Sequence, residues 1–122
     1  MYNDTVIDHF NNPRNTGELK DCSAVGQVTS EVCGDTAFVF LSVADGVIEN
    51  MKCKTFGCAA AIASASMLST MAIGKSLEEA KQLTGEVIVA ALGGLPEAKL
   101  HCAALAADAL HEAIKVYETE HM

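Results

Sequence analysis

Residues 36–58 read TAFVFLSVADGVIENMKCKTFGC, and the fold follows from how this stretch is divided. Ala37, Val39, Leu41 and Val43 alternate with Phe38, Phe40 and Ser42. A period of two marks a β-strand, and apolar residues on both sides of it predict that both faces are largely covered. Asp45-Gly46 is turn chemistry for a two-residue hairpin, so Val47 to Phe56 is the returning strand. There Cys53 lies between Lys52 and Lys54, which places the thiol toward the core and the lysines toward water. After Gly57 the period changes. Cys58 to Ile73 is almost wholly Ala, Ser, Ile, Met and Leu, a helix buried nearly all round that stops at Gly74. Met67 and Met71, four apart on that helix, belong to the core.

Outward from this centre, Val25 to Val32 is a third β-rich run, and an antiparallel meander is the simplest arrangement of the three. Asp4 to Phe10 predicts one or two helical turns, ended by Asn11-Asn12-Pro13 and the turn-rich Arg14-Asn15-Thr16-Gly17. Residues 1–22 therefore read as a mobile arm. On the other side, Ser76-Leu77-Glu78-Glu79 is a capping box, and Thr84 caps a helix that ends at Gly93-Gly94. From Pro96 onward comes the longest periodic segment. Leu105, Ala106, Ala109, Ala113 and Val116 share one side, with Asp108, Glu112, Lys115 and Glu118 turned to water. Strands followed by helices give an α+β fold, a three-stranded antiparallel β-sheet with helices packed on it, in a single domain over 1–122.

Composition narrows the function. The chain has 122 residues, 50% of them hydrophobic, no tryptophan and only 5% aromatics, so small aliphatic side chains must fill one core. Sixteen acidic against eight basic residues give a net charge of -8, which repels nucleic acid and anionic lipid. No apolar run is long enough to span a bilayer, and Met1 to Phe10 is too polar for a signal peptide, so the expected location is cytoplasmic. Five cysteines in a reducing compartment do not read as a disulfide framework. Metal binding or thiol chemistry is the alternative to inert burial.

The chemistry-bearing residues cluster at the ends of the elements. Cys33-Gly34-Asp35 falls where the first strand turns into the second, and the glycine lets the backbone bring a thiolate and a carboxylate together. Cys58 opens the buried helix, where free N–H groups and the dipole favour thiolate. His101-Cys102 adds an imidazole and another thiol near the start of the last helix. Three thiolates with Asp35 or His101 make a soft donor set, suited to iron-sulfur units, zinc or copper(I) rather than magnesium or calcium. Cys22 and Cys53 read as packing residues. His9, His111 and His121 lack thiol neighbours and are expected at the surface. Lys99 either is solvated or orients a ligand or an incoming persulfide.

Three segments together carry a resemblance: Val32-Cys33-Gly34-Asp35, then Lys54-Thr55-Phe56-Gly57-Cys58 followed by Ala61-Ile62-Ala63-Ser64, then Leu95-Pro96 leading to Lys99-Leu100-His101-Cys102. With His9-Phe10, Asn12-Pro13-Arg14-Asn15 and Ala106-Ala107-Asp108-Ala109, nearly the whole chain resembles the U-type iron-sulfur assembly scaffolds, meaning IscU and the N-terminal domain of NifU. The resemblance implies a three-stranded antiparallel sheet with helices, and a transient [2Fe-2S] cluster held at one exposed end by Cys33, Cys58 and Cys102. Asp35 and His101 would compete for, or tune, the remaining coordination. It also implies partners: a cysteine desulfurase that supplies sulfur as persulfide, separate iron and electron donors, and apo iron-sulfur proteins that receive the cluster. Zinc is expected in purified protein.

Within that resemblance Cys102 is expected to accept the persulfide, because Gly93-Gly94 and Pro96 imply an exposed approach, and His101 and Lys99 place positive charge nearby. Leu95-Pro96-Glu97-Ala98-Lys99 stands where many IscU-type members have Leu-Pro-Pro-Val-Lys, the segment bound by a specialised Hsp70. This departure argues against that chaperone and toward the NifU-like branch. A scaffold of this kind has no turnover of its own. The alternative is a zinc-dependent sulfur-accepting sulfurtransferase of the SufU type, but such chains carry an insertion between the first two cysteine motifs and lack the histidine before the last cysteine. Here the segment from Cys33 to Cys58 is short and His101 is present.

Overall fold

The structure, a computed structural model, describes residues 2–32 and 34–121. In chain order the elements are α1 (Asp4–Asn11), β1 (Ala24–Thr29), β2 (Thr36–Ala44), β3 (Val47–Phe56), α2 (Ala59–Ala72), α3 (Leu77–Ala80), α4 (Gly85–Leu92) and α5 (Leu100–Glu120), the last entered through a 3-10 turn at Glu97–Lys99. Among the described residues the strands form one antiparallel sheet in the order β1-β2-β3, so the α+β meander expected from the sequence is what forms. Asp45 and Gly46 both take positive φ, 54° and 75°, the hairpin geometry whose twist matches that of the flanking strands. A bulge between Ser42 and Val43 precedes the turn.

The first strand is shorter than its hydrophobic run. It ends at Thr29, and the chain then closes a tight loop in which the Ser30 N–H donates to the Asp35 carbonyl at 2.8 Å and the Gly34 N–H donates to the Ser30 carbonyl at 2.9 Å. Gly34 takes a φ of +76°, which only glycine adopts freely. Val32, read as strand from its side chain, is left 77% exposed on this loop.

Ala37, Val39, Leu41, Met51 and Cys53 are buried beneath the helices, with α5 lying across β1 and β2 and α2 against β3. The opposite face of the sheet carries no helix among the described residues, which corrects the expectation of two covered faces. Phe38 and Phe40 are half-buried there because they shelter one another. Their rings stack at 6.5 Å, Phe56 meets Phe38 edge-on at 6.1 Å, and the Lys54 ammonium sits 5.6 Å over the Phe56 ring. The outer face is a narrow aromatic ladder rather than a second core.

The stretch expected to be a mobile arm is, in this structure, a docked element as far as Thr16. Val6 is fully buried, and Asn3 both caps α1 by accepting from the Val6 N–H at 2.9 Å and donates to the Leu92 carbonyl at 3.0 Å. The serines of α2 explain the docking. Ser66 Oγ accepts from the Arg14 N–H at 2.9 Å and lies 2.8 Å from His9 Nδ1, and the Asn15 amide donates to Ser69 Oγ at 3.0 Å. His9 is therefore not a surface residue. It is 7% exposed, and burial, with Arg14 nearby, lowers its pKa below the ordinary 6.5, partly opposed by Asp8.

This packing can be tested at two positions. On β1 there is no room for a side chain at Gly26, where a Cβ would fall on the backbone of Ala109 and Ala113 in α5. Gly26→Ala should destabilise the fold by roughly 1–3 kcal/mol or more, read by chemical denaturation, because the obstacle is backbone and cannot swing aside. For His9, a lowered folded pKa means that the unfolded chain binds the proton more tightly. Its contribution is present above about 6.5 and is lost as pH falls from there toward the folded value. Melting temperature should fall between pH 7.5 and 5.5, and the fall should be shallower in His9→Gln, which keeps a polar partner for Ser66 but does not titrate. An identical slope in the variant would exclude His9 as the source.

Candidate metal centre

Three chain ends meet at one edge of the molecule. The β1–β2 loop supplies Asp35, the Phe56-Gly57 turn out of β3 supplies Cys58 as the N-cap of α2, and the 3-10 turn at Glu97–Lys99 delivers His101 and Cys102 in the first turn of α5. The Sγ atoms of Cys58 and Cys102 are 3.5 Å apart, and one donor atom each from Asp35, Cys58 and Cys102 all lie within 4.8 Å of one another. His101 Nε2 is 3.7 Å from Cys102 Sγ, beside that triad. Cys33 lies outside the described residues.

Glycine makes the carboxylate's approach possible. A Cβ at Gly57 would come within 2.6 Å of Asp35 Oδ2, so a larger residue there would push the carboxylate out of the site. The Cys58 N–H, one of the free donors at the start of α2, points to the same oxygen at 3.5 Å. Burial raises the Cys58 thiol, but the backbone N–H of Ala61, the Cys102 thiol, the N–H of Ala60 and the Lys99 ammonium outweigh it, so its pKa lies below the ordinary thiol value. Lys99 responds in kind. Cys58 and then Tyr2 hold its ammonium above the usual lysine value, partly opposed by desolvation, with lesser support from Cys102 and Asp35. That direction reflects the negative charge of the neighbouring thiols and carboxylate.

The two thiols differ in exposure. Cys58 is half-buried, whereas Cys102 is 1% exposed in a small cluster with Ala60 and Ala61, against which Tyr2, Leu95 and Cys58 pack. The expectation of an exposed approach to Cys102 is met only along the chain leading to it, where Glu97 and Ala98 are exposed, and not at the sulfur. Sequence reading missed Tyr2 and Leu95 as neighbours of this cluster. No local signal marks Tyr2, because it arrives only through the docking of α1. The remaining cysteines are as expected or nearly so. Cys53 is in the core, its thiol 3.8 Å from the Ala65 carbonyl, and burial pushes it up to about 12. Cys22 is half-buried.

A soft, closely spaced pair of thiols with one carboxylate suits a single thiophilic metal ion or one corner of an iron-sulfur unit. Thiolates about 2.3 Å from a tetrahedral metal stand roughly 3.8 Å apart, close to the spacing found between Cys58 and Cys102. No helix among the described residues is long and apolar enough to cross a membrane.

The sequence matches the NifU-like N terminal domain family over residues 1–122. It is 53% identical over 117 residues to the iron-sulfur cluster assembly scaffold protein IscU 1 of Archaeoglobus fulgidus, spanning 96% of this chain and 76% of that protein. To the iron-sulfur cluster assembly scaffold protein IscU of Aquifex aeolicus it is 48% identical over 118 residues, spanning 95% and 75%. Its fold is similar to that of the crystal structure of a nitrogen-fixing NifU-like protein (N-terminal) from Brucella abortus, with a TM-score of 0.79, 24% identity, and coverage of 97% and 94% of the two chains. With every residue inside the matched family and relatives near half identical over almost the whole chain, this protein belongs to the NifU-like N-terminal domain family.

Proposed function

We propose that this protein is a scaffold for the assembly of iron-sulfur clusters. It accepts sulfur from a cysteine desulfurase, gathers iron, holds a [2Fe-2S] unit transiently and releases it to apo-proteins in a reducing cytoplasm, without turnover of its own. The observation that carries this reading is the 3.5 Å spacing of Cys58 and Cys102 Sγ, with an Asp35 oxygen in the same 4.8 Å cluster. Relatives at 53% and 48% identity named as assembly scaffolds support it. Cys33, Cys58 and Cys102 are the proposed thiolates, and Cys102 the thiol that holds delivered sulfur. Lys99 is an accessory charge that stabilises the thiolates, since Cys58 heads the groups acting on its ammonium.

The mixed donor set accounts for transient holding. Four thiolates make a durable cluster, whereas a carboxylate is a hard partner for a soft metal and exchanges more readily. A donor atom of Asp35 lies within 4.8 Å of both sulfurs, whereas His101 approaches Cys102, at 3.7 Å, so the proposed exchangeable ligand is Asp35 and the proposed tuning group is His101. The same donors hold zinc tetrahedrally, so zinc is the expected competitor in protein prepared in air. The sulfurtransferase alternative has less behind it, given the short Cys33–Cys58 segment and His101.

Anaerobic incubation with ferrous iron, cysteine and a desulfurase should produce the visible charge-transfer bands and Mössbauer signature of a [2Fe-2S] unit, while aerobic protein should carry up to one zinc per chain. A colourless product with intact thiols would overturn the scaffold reading. Asp35→Ala should retain its cluster severalfold longer than wild type when an apo-acceptor is added, whereas Cys58→Ser should fail to assemble one. Loss of the cluster from Asp35→Ala as fast as from Cys58→Ser would make Asp35 a structural ligand instead.

A further inference from the structure

A small cavity of about 180 Å³ lies between the turn at residues 13–16, β3 and α2. None of Asp35, Cys58, His101 or Cys102 lines it, so it is separate from the candidate metal centre. Its lining runs from buried Cys53, Ala65 and Ser66 to exposed Phe10 and Pro13 at the surface. Backbone bonds hold its walls in place. The Gly17 N–H donates to the Cys53 carbonyl at 2.9 Å, the Cys53 N–H donates to the Asn15 carbonyl at 2.8 Å, and the Arg14 N–H donates to Ser66 Oγ at 2.9 Å.

Two polar groups on this lining are unanswered. Arg14 and Thr55 both line the cavity, and Arg14 Nη1 and Thr55 Oγ1 are buried with no hydrogen-bond partner among the described residues. Buried polar groups are ordinarily paired. Arg14 Nη2 is engaged, 2.7 Å from Asp8 Oδ2, but both side chains of that ion pair are partly exposed, and such a pair is weak. The positive charge also outweighs its partner inside the fold. After burial, which leads, Arg14 lowers the pKa of His9 more than Asp8 raises it, and His9 Nδ1 is 2.8 Å from Ser66 Oγ on the cavity wall.

Size and chemistry narrow the ligand. An apolar cavity of about 150 Å³ takes one benzene molecule, and one water needs only about a tenth of that volume, so this cavity suits a ligand of about six heavy atoms. Ile62, Ala65, Phe10 and Pro13 ask for a hydrocarbon body, and Arg14 asks for an acceptor that carries negative charge. A phosphate or sulfate dianion has no apolar body and meets a chain of net charge -8. We propose that this cavity binds a short-chain aliphatic carboxylate, the class of butyrate. One carboxylate oxygen accepts from Arg14 Nη1 and the other from the Thr55 hydroxyl, while the alkyl chain lies against Ile62 and Ala65. The site does not depend on the scaffold reading.

The test is a titration of the full chain with sodium butyrate at constant ionic strength, followed by NMR of the Ile62 and Ala65 methyl groups and the Arg14 guanidinium. These signals should shift together and saturate, with a Kd of about a millimolar or below. Butyramide, the neutral isostere, should bind about tenfold more weakly. Asp8 competes for the same guanidinium, so Asp8→Asn should tighten butyrate binding, whereas Arg14→Gln should weaken it about tenfold and Thr55→Val severalfold. Opposite effects at Asp8 and Arg14 do not arise from a shared loss of folding, and the amide spectrum of each variant checks that the fold is kept. Butyramide binding as tightly as butyrate, or saturable shifts that persist unchanged in Arg14→Gln, would overturn the site. A wild type whose Ile62 and Ala65 signals do not respond, the behaviour of a cavity that holds only water, would overturn it too.

Discussion

At Gly26 the backbone of α5 comes so near β1 that a single added carbon would collide with Ala109 and Ala113. The rest of the molecule is arranged around that contact. Packing a helix directly on a strand backbone removes the layer of large side chains that ordinarily separates them. It requires small residues on the helix, and α5 supplies buried Ala103, Ala106, Ala107, Ala109 and Ala113. A similar economy holds at Gly85, where α4 begins close against Ala104. Pinned at its middle by β1 and near its start by α4, α5 has little freedom of position. Its first turn carries Cys102 to a place set by the core rather than by the loop before it.

The same small-residue packing governs the other side of the site. The helix α2 is buried on most of its circumference by Ala, Ser and Leu residues, which fixes where its N-terminus emerges and therefore where Cys58 stands. Ala60 and Ala61 then form the floor beneath Cys102. With bulkier residues at these positions the two helix starts would be held apart, and the sulfurs with them. The candidate metal centre is thus a by-product of close helix packing, completed by an Asp35 loop that depends on Gly34 and Gly57 for its shape.

Neighbouring groups at the candidate centre are unequal. The thiols differ in exposure, the carboxylate differs from them in hardness, and Lys99 is the cation that acts on all three. A symmetrical cage of four equivalent thiolates would bind more tightly and exchange more slowly. Here the protein keeps one thiol half-buried, one buried, and one carboxylate beside them, an order that follows from which of the three elements carries each.

Much of this was legible in the sequence, for local reasons. The alternation in residues 36–43, the Asp45-Gly46 turn, the change of period after Gly57, and the caps at Ser76, Thr84 and Gly93 each report a backbone preference that neighbours a few positions away can enforce. The candidate ligands were legible too, because a thiol or carboxylate beside a glycine at the end of an element sits where the backbone can turn and present it. What the sequence could not show depends on groups far apart in the chain. His9 looks like a surface residue until Ser66 and Arg14 close around it, and Val32 looks like strand until the Ser30–Asp35 bond ends β1 early. Phe38 and Phe40 read as core although they are only half-buried, stacked on one another on the outer face of the sheet. The difference between Cys58 and Cys102 is of the same kind. Both lie at helix starts and look alike in sequence, but burial is set by what packs on a residue from elsewhere, and only the fold brings Tyr2, Leu95 and Cys58 against the cluster that holds Cys102. The sequence by itself determined the elements and the donor atoms, through short-range backbone and side-chain chemistry. The tertiary structure alone decided which donors meet and which of them water can reach, because those are properties of long-range packing.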